Sequence, residues 1–280
     1  MILLVADEAA RGRRGRLRDV RVALDAMGVE AEEVALPADV ADRPLGPRDR
    51  VLVVGDDAIT CQVASAILSL PASDRPSLGI VGSVRNDFVR TFGLDRGPFV
   101  AIQHATSDTT MEIDAMHVEV GGEATTALNA VEVGWGALVR QQRGQRDVKL
   151  RHRIAAARQV DDQATVKVVL DHTTYAEPLS RVIVANGQFL GDEGRVSPRA
   201  LPDDGRFNVQ SWGIFGDELA RGPDGLHVGE HLGHERIREH QSATATIESE
   251  SPLPVAVDGI VVGTTPVSIR ADHRALRLHV

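Results

Sequence analysis

The sequence is short of cysteine, of aromatic side chains, of positive charge and of long apolar runs, and each shortage removes a class of function. One cysteine, Cys61, in 280 residues can close no internal disulfide and supply no metal cluster; this fits a reducing cytoplasm and leaves Cys61 as helix packing. Two tryptophans, one tyrosine and six phenylalanines are too few for a surface that stacks single-stranded nucleic acid. The balance of 31 basic against 40 acidic residues gives a formal charge of −9, which opposes non-specific attraction to a phosphate backbone, so no nucleic-acid partner is expected. Charge or glycine breaks every apolar run well before the roughly 20 residues a spanning helix needs, which argues against an integral membrane protein. The opening Met1-Ile2-Leu3-Leu4-Val5 reaches Asp7 with no basic segment before it and no cleavage site after it. It reads as a strand rather than an export signal, and the expected location is cytoplasmic.

What is present is the composition of a globular protein, 42% hydrophobic and 25% charged, long enough for two domains with a core each. The first third alternates short β-branched or leucine-rich runs with amphipathic stretches, the pattern of a parallel sheet with helices on its faces. Ile2 to Val5, Val51 to Val54 and Leu78 to Val81 are the predicted strands. Helices are predicted over Leu17 to Met27, with Gly28 as the stop, over Ile59 to Leu70, and from Asn86-Asp87-Phe88 to Gly93. Ala38 to Arg50 reads as a loop. From about Ile113 the texture is mainly β: Ala115 to Val120, Thr126 to Val133, Ala164 to Leu170, Arg181 to Ala185, Thr244 to Glu248, Val255 to Val257 and Ala275 to Val280, separated by turn clusters such as Pro202-Asp203-Asp204-Gly205. The expected class is α/β plus all-β, with a Rossmann-like three-layer domain over 1–110 and a β-sandwich over 111–280. His227, His231, His234 and His240 are dense enough to raise a metal site, but Gly229 and Gly233 argue against a helix that would hold them together. Trp135 and Trp212 read as sandwich core or cleft lining.

Several stretches, in order, resemble the diacylglycerol kinase and sphingosine kinase superfamily, its bacterial lipid-kinase branch in particular. Val184-Ala185-Asn186-Gly187-Gln188-Phe189-Leu190-Gly191, then Val196-Ser197-Pro198-Arg199-Ala200 and Asp203-Asp204-Gly205, resemble the family's aNG…PxA…DDG segment. Gly134-Trp135-Gly136-Ala137 is similar to its G-x-G-x-D-A strand, and Val255-Ala256-Val257-Asp258-Gly259 to its V-x-V-D-G-E. Gly55-Asp56-Asp57-Ala58-Ile59-Thr60-Cys61-Gln62-Val63-Ala64 aligns without a gap on GGDGTxNEVA, and Asn86-Asp87-Phe88-Val89-Arg90 on NDFAR. The resemblance covers nearly the whole chain and implies a nucleotide held in a cleft between the two domains.

The nucleotide loops depart from that pattern. A loop that cradles phosphate needs glycine where backbone approaches ligand, and here the second glycine of the motif is Asp56 and the next is Ala58. A carboxylate about 4 Å from a phosphate oxygen costs roughly 4 kcal/mol at an effective dielectric near 20, about a thousandfold in affinity. The motif threonine is Ile59 and its glutamate Gln62; the NPxSG loop reads Ala6-Asp7-Glu8-Ala9-Ala10; the PxGTxND loop keeps only Asn86-Asp87; and the glutamate of V-x-V-D-G-E is Ile260, which cannot accept a proton. Ordinary ATP-dependent transfer is therefore not expected, and the scaffold reads as repurposed for a small or lipid-like molecule in the cleft, as a binder or an enzyme of another chemistry, for instance a biosynthetic one. The alternative is a divergent lipid kinase using ATP and Mg²⁺. Asp57 and Gln62 are the candidate catalytic groups; Arg11, Arg13, Asp57, Asn86 and Asp87 are the candidates for holding a cofactor or ligand. Asp57 either contacts a ligand or caps the helix after it, Asn86 and Asp87 also suit a helix cap, and the arginine run is either an anion receiver or a solvated face. Asp204 stands where the family holds a structural cation, Mg²⁺ or Ca²⁺, and equally suits a metal-free turn. A homodimer formed through the β domain is a further reading.

Overall fold

A computed structural model describes residues 1–12, 16–35, 37–82, 86–94, 98–143, 149–160 and 164–280. The chain divides into two compact units, Met1–Asp114 with Arg274–Val280, and Ala115–His273. The final seven residues thus return to the first unit.

In the first unit the order is β1 (Ile2–Ala6), α1 (Glu8–Arg11), α2 (Leu17–Ala26), β2 (Glu32–Val34), β3 (Arg50–Val54), α3 (Asp57–Leu68), β4 (Ser77–Val81), α4 (Asp87–Thr91) and α5 (Pro98–Thr106). The strands form a parallel sheet in the order β2-β1-β3-β4. Leu4, Ala6, Leu52, Val54 and Val81 pack in one cluster with residues of α2 and α5, including Val20, Leu24, Ala101 and Ala105. The alternating Leu3, Val5, Val51 and Val53 are fully buried as well, because a parallel sheet is covered on both faces. That is why these strands read as continuous apolar runs. Helix α2 ends at Ala26 with Met27 as its C-cap, and Gly28 follows in the left-handed region with φ of 67°. The register aligns Ala6 with Val54 and Val54 with Val81, so the loops opening at Asp7, Gly55 and Gly82 leave one edge of the sheet together.

The second unit contains β5 (Thr110–Val120, entered from the first unit), β6 (Glu123–Ala127), β7 (Ala130–Gly134), α6 (Trp135–Arg143), α7 (Leu150–Ala157), β8 (Thr165–Leu170), β9 (Thr174–Pro178), β10 (Arg181–Ala185), β11 (Phe207–Trp212), α8 (Gly216–Arg221), β12 (Ile237–Ser242), β13 (Thr244–Ser249), β14 (Pro254–Val257), β15 (Ile260–Thr264) and β16 (Val267–His279). One antiparallel sheet runs β12-β11-β10-β7-β14-β15. The facing strands include β8, β13 and the first part of β16, and a core of Val131, Val133, Val166, Val168, Val182, Val184, Val209, Ile247 and Ile269 fills the sandwich. The other face of the six-stranded sheet lies under α6, α7 and α8, where Trp135, Ile183, Trp212 and Leu219 form a second cluster.

The α/β unit followed by a β-sandwich agrees with the fold class expected from the sequence. Several boundaries differ. Thr126 to Val133 is two strands, because the chain leaves β5's hairpin at Leu128-Asn129 and enters the other sheet as β7. The last strand starts at Val267, eight residues before its expected start at Ala275. Helix α3 begins at Asp57 and ends at Leu68.

Candidate functional site

Three loops leave the same edge of the parallel sheet, the place where open α/β sheets hold their ligands. The first two carry aspartates whose carboxylates are turned onto backbone N–H groups, and the third offers Asn86 in the same role. Asp7, just after β1, accepts from Ala10 N at 2.5 Å and from Asp56 N at 3.2 Å. Asp56 is the N-cap of α3 and accepts from Ile59 N at 3.2 Å. Asp57 does not cap the helix it opens; its two oxygens accept from Asp87 N at 2.8 Å and Phe88 N at 3.2 Å, across thirty residues of sequence. Asn86 completes the N-terminus of α4 by accepting from Val89 N at 2.8 Å. Gly55 is required where it stands: a Cβ there would lie 2.5 Å from Asp7 Oδ2 and 2.6 Å from Ile59 Cγ2. Ile59, in the place of the motif threonine, is buried against this glycine instead of offering a hydroxyl.

The other sequence-predicted residues of this unit are placed as follows. Asp87 is 7% exposed and its Oδ1 accepts from Arg90 Nη1 at 3.2 Å. Gln62 is exposed on α3. Arg11 donates to Ala6 O and Val34 O, both at 3.0 Å, and pairs with Glu33 at 3.5 Å, so its guanidinium ties the end of β1 to β2. Arg13 lies outside the described residues, as do Ser83, Val84 and Arg85 of the third loop. Arg16 donates to Gly82 O and draws the first loop toward the third. The structure therefore brings Asp7, Asp56, Asp57, Asn86 and Asp87 into one hydrogen-bonded cluster, from which Gln62 and Arg11 are not bonded partners.

In the second unit the motif residues form a structural knot. Asp258, with φ of 44°, accepts from Leu128 N, Asn129 N and Ala130 N at 2.8, 3.0 and 2.8 Å. Asn186 donates to Leu128 O at 2.9 Å, and Asn129 to Phe189 O at 2.9 Å. The Asn-Gly and Asp-Gly signatures thus pin the crossing from β6 to β7. Asp204 accepts from Arg206 N at 2.9 Å in its turn. Among the described residues no three His, Cys, Asp or Glu side chains gather to hold a metal. In the histidine-rich segment, His231 bonds Gln210 and His234 bonds Glu218, on different partners.

Sequence reasoning missed a buried ion network. Arg181 is fully buried between the rings of Trp135 and Trp212, 5.2 and 4.9 Å from their centroids. It pairs with Glu132 and, at 2.7 Å, with Glu193, while Arg140 holds the other oxygen of Glu132 at 3.0 Å. Burial alone would raise the Glu132 pKa, but Arg140 and Arg181 outweigh it and hold the carboxyl below its ordinary value. Gly136 makes room for this, since a Cβ there would overlap Glu132 Oε1. The sequence traces of the network were lone charges in two otherwise apolar strands, Glu132 in β7 and Arg181 in β10.

The comparisons with known proteins agree with this architecture. Three solved structures from Bacillus anthracis str. Sterne, all carrying diacylglycerol kinase in their names, superimpose over 99% of this chain and 96% of theirs. The first has a TM-score of 0.77 at 19% identity and the third 0.75 at 21%, which is likeness of fold. No curated protein matches the sequence. The family model described as YegS C-terminal NAD kinase beta sandwich-like domain matches residues 129–280, a stretch that includes the Asn186 and Asp258 knot and the Arg181 network. More than half of the sequence is thereby accounted for, and the chain belongs to that family.

Proposed function

We propose that this protein is a member of the lipid-kinase-like superfamily that does not transfer phosphate from ATP, and that it holds a small or lipid-like molecule as a binder or as an enzyme of different chemistry. One observation carries the reading: the amides of Ala10, Asp56, Ile59, Asp87 and Phe88 already donate to the chain's own carboxylates. A phosphate is bound at loop and helix N-termini by free N–H donors and by the positive end of the helix dipole. Here fixed negative groups occupy both roles. Asp56 is exposed, so solvent screens its repulsion of a phosphate to nearer 1 kcal/mol than the 4 kcal/mol of a poorly solvated pair. The occupied donors are the larger obstacle, because a phosphate would have to displace charge-assisted hydrogen bonds of about 1.5–3 kcal/mol each. The residues present do not fit a triphosphate tail, and no step of chemistry is assigned through ATP.

Calorimetric titration with Mg-ATP, together with an ADP-release assay on a lipid alcohol, tests this. Weak or absent binding without ADP release is expected; binding in the low micromolar range with lipid-dependent ADP release would refute it. The names of the similar structures favour a second reading, an ATP- and Mg²⁺-dependent lipid kinase, and that outcome would establish it. Mass spectrometry of molecules that copurify with the protein identifies the ligand class.

A further inference from the structure

Within the second unit a pair of histidines meets at a rim of the sandwich. β9 and β12 are the outermost strands of their sheets, and the turn between β8 and β9 brings Asp171 and His172 beside His240 of β12. The His172 and His240 rings lie 5.9 Å apart between centroids and are tilted by 55°, so they are neighbours without being stacked. His240 also lies 5.6 Å from the ring of Tyr175, whose hydroxyl bonds Ser211 Oγ at 2.6 Å. Solvent reaches this rim: the His172 side chain is 49% exposed, and His240 is half-buried.

The second observation is the hydrogen bonding behind these rings. His172 Nδ1 lies 2.5 Å from Asp171 Oδ1, and a carboxylate only accepts, so Nδ1 carries the proton and Nε2 of the neutral ring keeps a bare lone pair. Asp171 is itself fixed, with Ser242 Oγ at 2.7 Å and Ala243 N at 3.1 Å on its two oxygens. These contacts, His172 foremost, hold its carboxyl well below the ordinary carboxylate range. A carboxylate behind a metal-bound histidine plays this part: it sets the tautomer and raises the basicity of the ligating nitrogen. Neither nitrogen of His240 is engaged in a hydrogen bond among the described residues. Burial, then the charges of His172 and Arg238, lowers its pKa, so the ring is neutral at pH 7. Arg238 is countered by Glu177 at 2.9 Å.

We propose that His172 Nε2 and a ring nitrogen of His240 together bind a divalent transition-metal ion of the zinc type, with Asp171 as the positioning residue behind His172 and water in the remaining coordination positions. Two imidazoles on one tetrahedral ion, at nitrogen–metal distances of about 2.0–2.1 Å, put their ring centres roughly 5–6 Å apart, and the observed separation falls in that interval. The protein supplies two direct ligands, in keeping with the finding that no three His, Cys, Asp or Glu side chains gather among the described residues. Imidazole donors select Zn²⁺, Ni²⁺ or Cu²⁺ over the oxygen-seeking Mg²⁺ and Ca²⁺.

Isothermal titration of the full chain with zinc chloride tests the proposal. One site in the micromolar range is expected, unmoved by excess Mg²⁺ and weakened at least tenfold in H172A and in H240A, with a loss of about tenfold in D171N. H117A, which removes an exposed histidine of β5, should leave the site unchanged. Nitrogen-15 NMR of the unsubstituted protein gives a readout independent of any variant: the spectrum should show His172 protonated on Nδ1 and bare on Nε2, and this Nε2 and one nitrogen of His240 should move together as Zn²⁺ is added. The absence of binding at millimolar zinc, undiminished binding by the H172A/H240A double variant, displacement by Mg²⁺, or ring resonances that stay in place would each overturn it.

Discussion

Replacing Asp57 with alanine separates a carboxylate that holds the fold from one reserved for a ligand. In the structure this side chain accepts from Asp87 N and Phe88 N, the first two amides of α4, while Asn86 takes the third. Helix α4 has five residues and cannot stand on its own propensity. Loss of an N-terminal cap costs about 0.5–2 kcal/mol, and a hydrogen bond to a charged group about 1.5–3 kcal/mol when its partner is left buried. Water reaches part of this half-buried site, so D57A should cost about 2 kcal/mol, and D57N, which keeps one acceptor, about 1 kcal/mol. Q62A, exposed on α3, should change stability by less than 0.5 kcal/mol. Urea denaturation gives the totals, and hydrogen exchange at residues 87–91 should accelerate in D57A before the rest of the first unit responds. A carboxylate kept for a ligand would behave in the opposite way: its removal would be neutral or stabilising, and α4 would exchange as before. That result would refute the assignment of Asp57 as a tie between loops.

Two further predictions concern the interior. G136A should lower stability by about 3 kcal/mol or more, because the added methyl overlaps Glu132 and splits the buried pair with Arg181; a melting temperature equal to that of the parent would contradict this. His231 and His279 are both held down to about 4, mainly by burial, against an ordinary value near 6.5. The unfolded chain then takes up protons before the folded one, so their contribution is complete above about pH 6.5 and declines as the pH falls toward 4. After allowance for solvent screening the loss is about 1–2 kcal/mol per ring. Denaturation midpoints that stay level between pH 7 and 5 would exclude it.

Much of the fold was legible because burial on both faces leaves a plain mark. β1, β3 and β4 are apolar throughout, and the turn clusters of the second half separate most of its strands. Most of the elements that were missed lack that mark, and β11, buried along its length, hides it behind Asn208, Gln210 and Ser211. β2 has one buried residue of three, Val34. β9 alternates half-buried with exposed positions and ends on Pro178. β12 carries arginine, glutamate, histidine and glutamine on its path, and α6 starts at Trp135, directly after the glycine that ends β7. At the candidate site the aspartates could be named from the sequence, but their directions could not. Asp56 and Asp57 are neighbours, yet the first caps its own helix and the second caps one thirty residues away. Asp7 bonds Asp56 N only because β1 and β3 are adjacent in register. These are consequences of strand order, which local pattern does not contain.

The most direct test follows the five loop amides themselves. In a nitrogen-15 spectrum at neutral pH, the resonances of Ala10, Asp56, Ile59, Asp87 and Phe88 should stay in place when sodium tripolyphosphate is added to millimolar concentration. Saturable movement of these amides at micromolar tripolyphosphate would show that the donors are free for phosphate and would contradict the account.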